Sequence, residues 1–199
     1  MKTQMRAEQT RARIIAAAEG SIARQGYDAT SVDDICRAAG VTKGGFYHHF
    51  PSKQALFVEI LESWLSKLDV SLEEVGADAA TVPERLLRMG QLGGHILNQR
   101  SGQLRILLEF WVQAAHDPTV WEAATAPFRR YQQSLAVLIG SGIDEGTLEG
   151  VDSRVAGQAI VSLGVGLILQ SLLDPQGSDW GHVVQESVRV LVDGLRRRG

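Results

Sequence analysis

Helix punctuation recurs along the whole of this chain and constrains its fold more than any other feature. Apolar residues return every three or four positions, capping residues open the runs, and strand-like alternation is nowhere sustained. Ile14, Ala18 and Ile22 mark a first helix, closed by Gly26. Ser31 with Asp34 has the spacing of a capping box, and the short helix it opens carries Ile35, Ala38 and Ala39 before stopping at Gly40. Ser52 caps a long amphipathic helix bearing Phe57, Ile60, Leu61, Trp64, Leu65, Leu68 and Leu72. Thr81 to Glu84 repeats the capping-box spacing, with Pro83 tolerated in the first turn. The helix beyond it holds Gly90, Gly93 and Gly94, which we read as a source of cavity and mobility. Another helix runs through LRILLEFWVQAA. Asp117-Pro118 starts the next, and Pro127 is expected to kink or break it. Asp152 caps a very apolar helix that Asp174-Pro175 ends, and a last helix runs from about Trp180 to Arg198. About nine helices and no strands predict an all-α protein.

Composition narrows the setting. With 199 residues, 44% hydrophobic and 22% charged, the chain matches ordinary globular proteins. A single cysteine, Cys36, excludes an internal disulfide and fits a reducing compartment. No apolar signal segment follows Met1-Lys2-Thr3-Gln4. The longest apolar run, AIVSLGVGLILQSLL from Ala159, is interrupted by Ser162 and Gln170 and falls short of the roughly 18 to 20 residues that cross a bilayer. A soluble cytoplasmic protein with no membrane partner is the expectation. Charge is uneven: residues 1–53 hold eight Lys and Arg against five acids, a net +3, which leaves −6 for the remainder of a chain totalling −3. A basic end on an acidic body points to a polyanionic partner at that end.

The stretch GVTKGGFYHHF, Gly40 to Phe50, gives that partner a chemistry. A short helix, a tight Gly40-Val41-Thr42 turn and a second short helix make a helix-turn-helix, whose second helix enters the major groove. Gly44 and Gly45 each cost about 1 kcal/mol against alanine inside a helix, so a compensating reason is expected. Without a Cβ the backbone can approach a phosphate or base closely. Thr42 caps the helix and offers a hydroxyl, and Lys43 can reach a phosphate or a guanine edge. Phe46 and Phe50 share one face as anchors, leaving Tyr47, His48 and His49 pointing out. The boundary this suggests is a helix-turn-helix domain over 1–54 and a second helical domain over 55–199. Tyr47 filling core is the bland alternative. His48 and His49 diverge by about 100° on a helix, unlike a pair of ligands on one metal, so no metal or cofactor is expected. No G-x-S-x-G, H-E-x-x-H or C-x-x-C occurs, and the histidines at 48, 49, 95, 116 and 182 are scattered, so no enzyme is expected. A helical enzyme, or an adaptor contacting protein in place of DNA, is the alternative, and Lys43, Tyr47 and Lys53 at contact positions speak against the adaptor.

GVTKGGFYHHFPSKQALF, with DATSVDDICRAAG before it, resembles the DNA-binding domain of the tetracycline-repressor (TetR) family over residues 10–57. The family's G-[YF] pair falls at Gly26-Tyr27, and its T-[ST]-x-x-x-I segment runs from Thr30 to Ile35. Gly20 and Cys36 stand where alanine is usual; Cys36 reads as a small buried hydrophobe. The resemblance implies phosphate contacts from Thr30, Thr42, Tyr47 and Lys53, close groove contacts from Lys43, Gly44 and His48, and His49 at the backbone. It further implies a homodimer that reads a palindromic operator on double-stranded DNA, most often as a repressor. The last two long helices, about 152–173 and 180–198, would pack as a four-helix bundle. We place Ala156, Ile160, Leu163, Leu167, Val188 and Leu191 in that interface; the first of the two helices is apolar almost all round, which requires burial on more than one side. A small-molecule effector would bind among the helices that follow the reading head and prefer the conformation unfit for DNA. Trp64, Phe110, Trp111, Trp121, Phe128 and Tyr131 are the candidates to line that pocket, with plain core as the alternative for each. LEFWVQAAHDP and the later LLDP segment loosely resemble the C-terminal domains of BetI-like regulators, without naming a ligand.

Overall fold

The computed structural model describes residues 2–99, 108, 112 and 118–196. Among them are eight helices: α1 (Lys2–Gln25), α2 (Val32–Ala39), α3 (Lys43–His49), α4 (Lys53–Gly76), α5 (Val82–Gln99), α6 (Pro118–Asp144), α7 (Ser153–Leu173) and α8 (Trp180–Leu195). No strand occurs among the described residues, only an isolated bridge between Leu148 and Arg196. The fold is all-α; of the helix expected through LRILLEFWVQAA only Leu108 and Val112 are among the described residues, and both are helical. The chain forms two compact units, one of Met1–Leu65 with Arg105–Ala124, the other of Ser66–Leu104 with Thr125–Gly199.

In the first unit the four-residue spacing of α1 delivers Ile14, Ala18 and Ile22 to one core. Ile35, Cys36 and Ala39 come from α2, Phe46 and Phe50 from α3 and its end, and Leu56, Phe57, Ile60 and Leu61 from α4. The start of α4 thus belongs to this core, and the unit runs on to Leu65, past the boundary drawn at residue 54. Two polar ties fasten α4 to α1. Arg11 pairs with Glu59, and the Trp64 indole Nε1 donates to Glu19 Oε1 at 2.6 Å. Burial pushes the Cys36 thiol up, with Asp33 adding to it, which makes it a poor nucleophile.

The second unit explains the glycines of α5. They are contact points for α8 and not a source of cavity. A Cβ on Gly90 would stand 2.9 Å from Val188 Cβ, one on Gly93 would stand 3.4 Å from Val184 Cγ1, and one on Gly94 would meet the Gly181 carbonyl oxygen at 2.5 Å. Pro127 lies inside α6 without breaking it. Leu135 and Ile139 of α6 join Val82, Leu86, Leu148 and Val192 in a second core. Thr81 caps α5 by accepting from the Glu84 N–H at 3.4 Å. The returning bond of this box goes from the Ala80 N–H to Glu84 Oε2, at 3.0 Å. Asp152 caps α7 through the N–H groups of Arg154 and Val155.

One expectation for α7 needs correcting. Its apolar stretch starts before Ala159, so this 21-residue helix is long and apolar enough to cross a membrane by length and composition, with mean hydropathy 1.7 and only 11% of that stretch buried. The residues assigned to the dimer face are largely occupied by packing within the chain. Ala156, Ile160 and Val188 pack against the second core, Leu163 and the buried Leu167 pack with Leu97 and Val184, and Leu191 is half-buried. The exposed apolar residues are Val155 (63%), Leu169 (40%) and Leu173 (75%) on α7 and Val190 (68%) on α8. An all-round apolar helix carries no periodicity that could tell these faces apart.

Candidate nucleic-acid interface

Local bonds shape the helix-turn-helix. Ser31 Oγ accepts from the Asp34 N–H at 3.1 Å, while Asp34 Oδ2 accepts from the Ser31 N–H at 3.1 Å and its hydroxyl at 2.6 Å. Those Ser31 bonds hold the Asp34 carboxyl below its ordinary range. Gly40 ends α2 in the left-handed region at φ 64°, a conformation costly for other residues. Two residues on, Thr42 caps α3, its Oγ1 accepting from the Gly45 N–H at 3.1 Å. That hydroxyl keeps its hydrogen for an outside acceptor.

The second helix is anchored by one face and open on the other. Phe46 and Phe50 are buried, with ring centroids 5.9 Å apart. Thr42, Lys43, Gly44 and His48 are exposed and His49 half-exposed. Tyr47 is 51% exposed, its ring edge-on to Phe46 at 5.3 Å, so it is not a core residue. At Gly44 an added Cβ would meet only Thr42 Oγ1 at an ordinary 3.9 Å, and at Gly45 its nearest neighbour would be 3.5 Å away. Among the described residues nothing demands glycine at either position. The glycines leave this part of α3 without side chains, a surface on which backbone is open to close approach.

Two candidate phosphate contacts turn inward instead. Thr30 is 0% exposed, and its hydroxyl donates to the Gly26 carbonyl at 2.7 Å. Lys53 Nζ donates to the carbonyls of Tyr27 and Thr30 at 2.8 and 3.0 Å and lies 4.0 Å from the Tyr27 ring centroid. Desolvation lowers its pKa. The turn between α1 and α2 exposes carbonyls just where α4 begins, and a lysine there satisfies them. Residue type at a family position could not show this direction. Lys53→Met should destabilise the first unit by about 1–2 kcal/mol while leaving the salt dependence of DNA binding unchanged. A slope flattened by about one unit would return Lys53 to the phosphate contacts. One residue escaped sequence reading: Asp33 Oδ1 pairs with Lys43 Nζ at 2.8 Å. The available signal was two adjacent acids where the capping box uses one.

The aromatic candidates fall in both units. Trp64, bonded to Glu19, and Trp121, 45% exposed, belong to the first unit. Phe128 and Tyr131 are half-buried in the second. Phe110 and Trp111 lie outside the described residues. Burial, and then Asp69, pushes the Tyr131 phenol well above its ordinary value, and Arg130 Nη2 donates to Asp69 Oδ2 at 3.0 Å. Among the described residues no His, Cys, Asp and Glu group could hold a metal.

Comparison with known proteins identifies this arrangement. Residues 14–60 match the model for bacterial regulatory proteins of the tetR family. Residues 95–197, more than half of the chain, match the C-terminal domain of BetI-type transcriptional repressors. The chain belongs to the TetR family. It is a helix-turn-helix transcriptional regulator and not an enzyme. This TetR-family regulator is 27% identical to the transcriptional regulator TtgR of Pseudomonas putida, over 98% of this chain and 95% of that protein. It is 34% identical to AcrR of Shigella flexneri, over 54% of this chain and 50% of that protein. The same fold occurs in a Saccharomonospora viridis transcriptional regulator solved with choline, at TM-score 0.84 and 22% identity over 96% of this chain and 100% of that one. It also occurs in FadR of Bacillus subtilis solved with stearoyl-CoA, at TM-score 0.79 and 22% identity over 92% of this chain and 98% of that one.

Proposed function

We propose that this regulator binds a palindromic operator in double-stranded DNA as a homodimer, acts in the cytoplasm as a repressor, and is released by a small molecule bound in its C-terminal domain. The observation that carries the reading is α3. Its aromatic anchors are buried, Thr42, Lys43, Gly44, Tyr47 and His48 are open to solvent, and among the described residues nothing demands glycine at 44. A two-fold dimer would set two such helices into successive major grooves about 34 Å apart or a multiple of it. The exposed apolar side chains of α7 and α8 support that dimer, since a lone chain would leave them in water. The effector reading rests on the family and on neighbours solved with choline and with stearoyl-CoA. Phe128 and Tyr131, of the second unit, are candidate contacts.

Selection of the purified protein against a random duplex pool near physiological salt tests the reading. Enrichment of a palindrome that is lost with Tyr47→Ala is the expected result. Enrichment of single half-sites would remove the dimer. No enrichment, repeated on refolded ligand-stripped protein, would remove the DNA-reading surface.

A further inference from the structure

The two acids in the first turn of α2 do different work. Asp34 is consumed locally: Oδ2 takes both Ser31 donors and Oδ1 accepts from Arg37 at 3.1 Å. Asp33 instead reaches across the turn to Lys43 Nζ, the first residue of α3, at 2.8 Å. Both side chains are exposed, at 62% for Lys43 and 56% for Asp33. An ion pair so wetted adds little to folding. It does sit on the surface read above as the DNA interface, where an acid is costly: it faces a polyanion well within a Debye length of roughly 8 Å. A carboxylate placed there against electrostatics calls for a role in binding.

Lysine supplies one. Its ammonium is a flexible point charge that will bind any phosphate it reaches, so an unrestrained lysine adds affinity without selectivity. Asp33 takes one of the three ammonium donors and leaves two for acceptors such as guanine O6 and N7. The hydrogen bond and charge of Asp33 also raise the Lys43 pKa, keeping it a cation. On DNA lacking the right base the pair is internally neutral, and Lys43 gains little by leaving Asp33 for a phosphate.

We propose that Asp33 is a specificity-determining residue: by pairing with Lys43 it aims that ammonium at a base edge and withholds it from phosphates on non-specific DNA. The proposal rests on α3 being the helix that reads DNA. Asp33 is a positioning residue, acting through Lys43.

The test compares full-length wild type, Asp33→Asn, Asp33→Glu, Lys43→Met and the double Asp33→Asn, Lys43→Met variant. Each is measured on the selected operator and on unrelated duplex across a salt series, with thermal unfolding to confirm folding. Asp33→Asn should tighten non-specific binding about fivefold and steepen its salt slope by about 0.9, cutting the ratio of specific to non-specific affinity. Asp33→Glu should restore that ratio. In the Lys43→Met background, Asp33→Asn should tighten all duplexes alike, by the repulsion it removes, and leave the ratio of specific to non-specific affinity unchanged. A fall in that ratio that persists there, or an Asp33→Asn effect in the wild-type background that scales all sequences equally, overturns the proposal and leaves Asp33 as a helix N-terminal acid. Lys43→Met with no effect on any duplex would instead remove Lys43 from the DNA interface, a separate failure of the underlying reading.

Discussion

A glutamate in place of Leu169 is expected to leave a folded monomer whose operator affinity is about 10²- to 10⁴-fold weaker than that of the dimer. The magnitude is that of avidity: tethering two half-site readers turns the second contact into an intramolecular one, and losing the tether loses the gain. The position follows from the pattern of exposure. Val155, Ala159, Ser162, Gly166, Leu169 and Leu173 fall at alternating spacings of four and three, one seam of α7. Its large members are exposed, and a Cβ on Gly166 would meet nothing within 4 Å. On α8, Val190 is exposed, and Gly194 likewise has open space around its Cβ position. Leu163→Glu, six residues earlier and on a different face, should behave differently. It would put a charge beside Leu97, Leu167 and Val184 and unfold the second unit. Sedimentation, circular dichroism and operator binding separate the outcomes. A Leu169→Glu protein that stays dimeric and bound would move the interface off this seam.

Gly94→Val is the other change with a large expected effect, a loss of about 3 kcal/mol from the second unit and a melting temperature lower by about 10 °C. At Gly94 the obstacle is backbone: a Cβ would stand 2.5 Å from the Gly181 carbonyl oxygen. Gly181 in turn is hemmed in, its own Cβ position 2.3 Å from Asn98 Nδ2, and its N–H donates to Asn98 Oδ1 at 3.1 Å. Neither backbone can yield without parting α5 from α8. Gly140→Ala, in α6 with nothing within 4 Å of its Cβ position, is the control and should stabilise by up to about 1 kcal/mol. Equal thermal unfolding of the two variants would show that α5 and α8 do not need glycine to pack.

Much of the molecule is determined by neighbours in sequence. Ser31, Thr42, Ser52, Thr81 and Asp152 cap helices as their spacing predicts, because a cap is a bond between residues two or three apart and depends on nothing distant. Phe46 and Phe50 share a face because they are one helical turn apart. The exposed reading face of α3 follows from that anchoring. Direction across the fold was settled elsewhere. Lys53 and Lys43 are both cations at positions the TetR family uses on DNA, yet one is turned onto the carbonyls of Tyr27 and Thr30 and the other is held by Asp33. Gly90, Gly93 and Gly94 read as looseness until α8 is brought against them. Along α7 apolar residues run almost all round, so the packing of α5, α6 and α8 decides which side is core and which is left open. Caps and periodicity are local and therefore written in the sequence; which groups a side chain meets depends on residues tens of positions away, and only the tertiary structure brings those together.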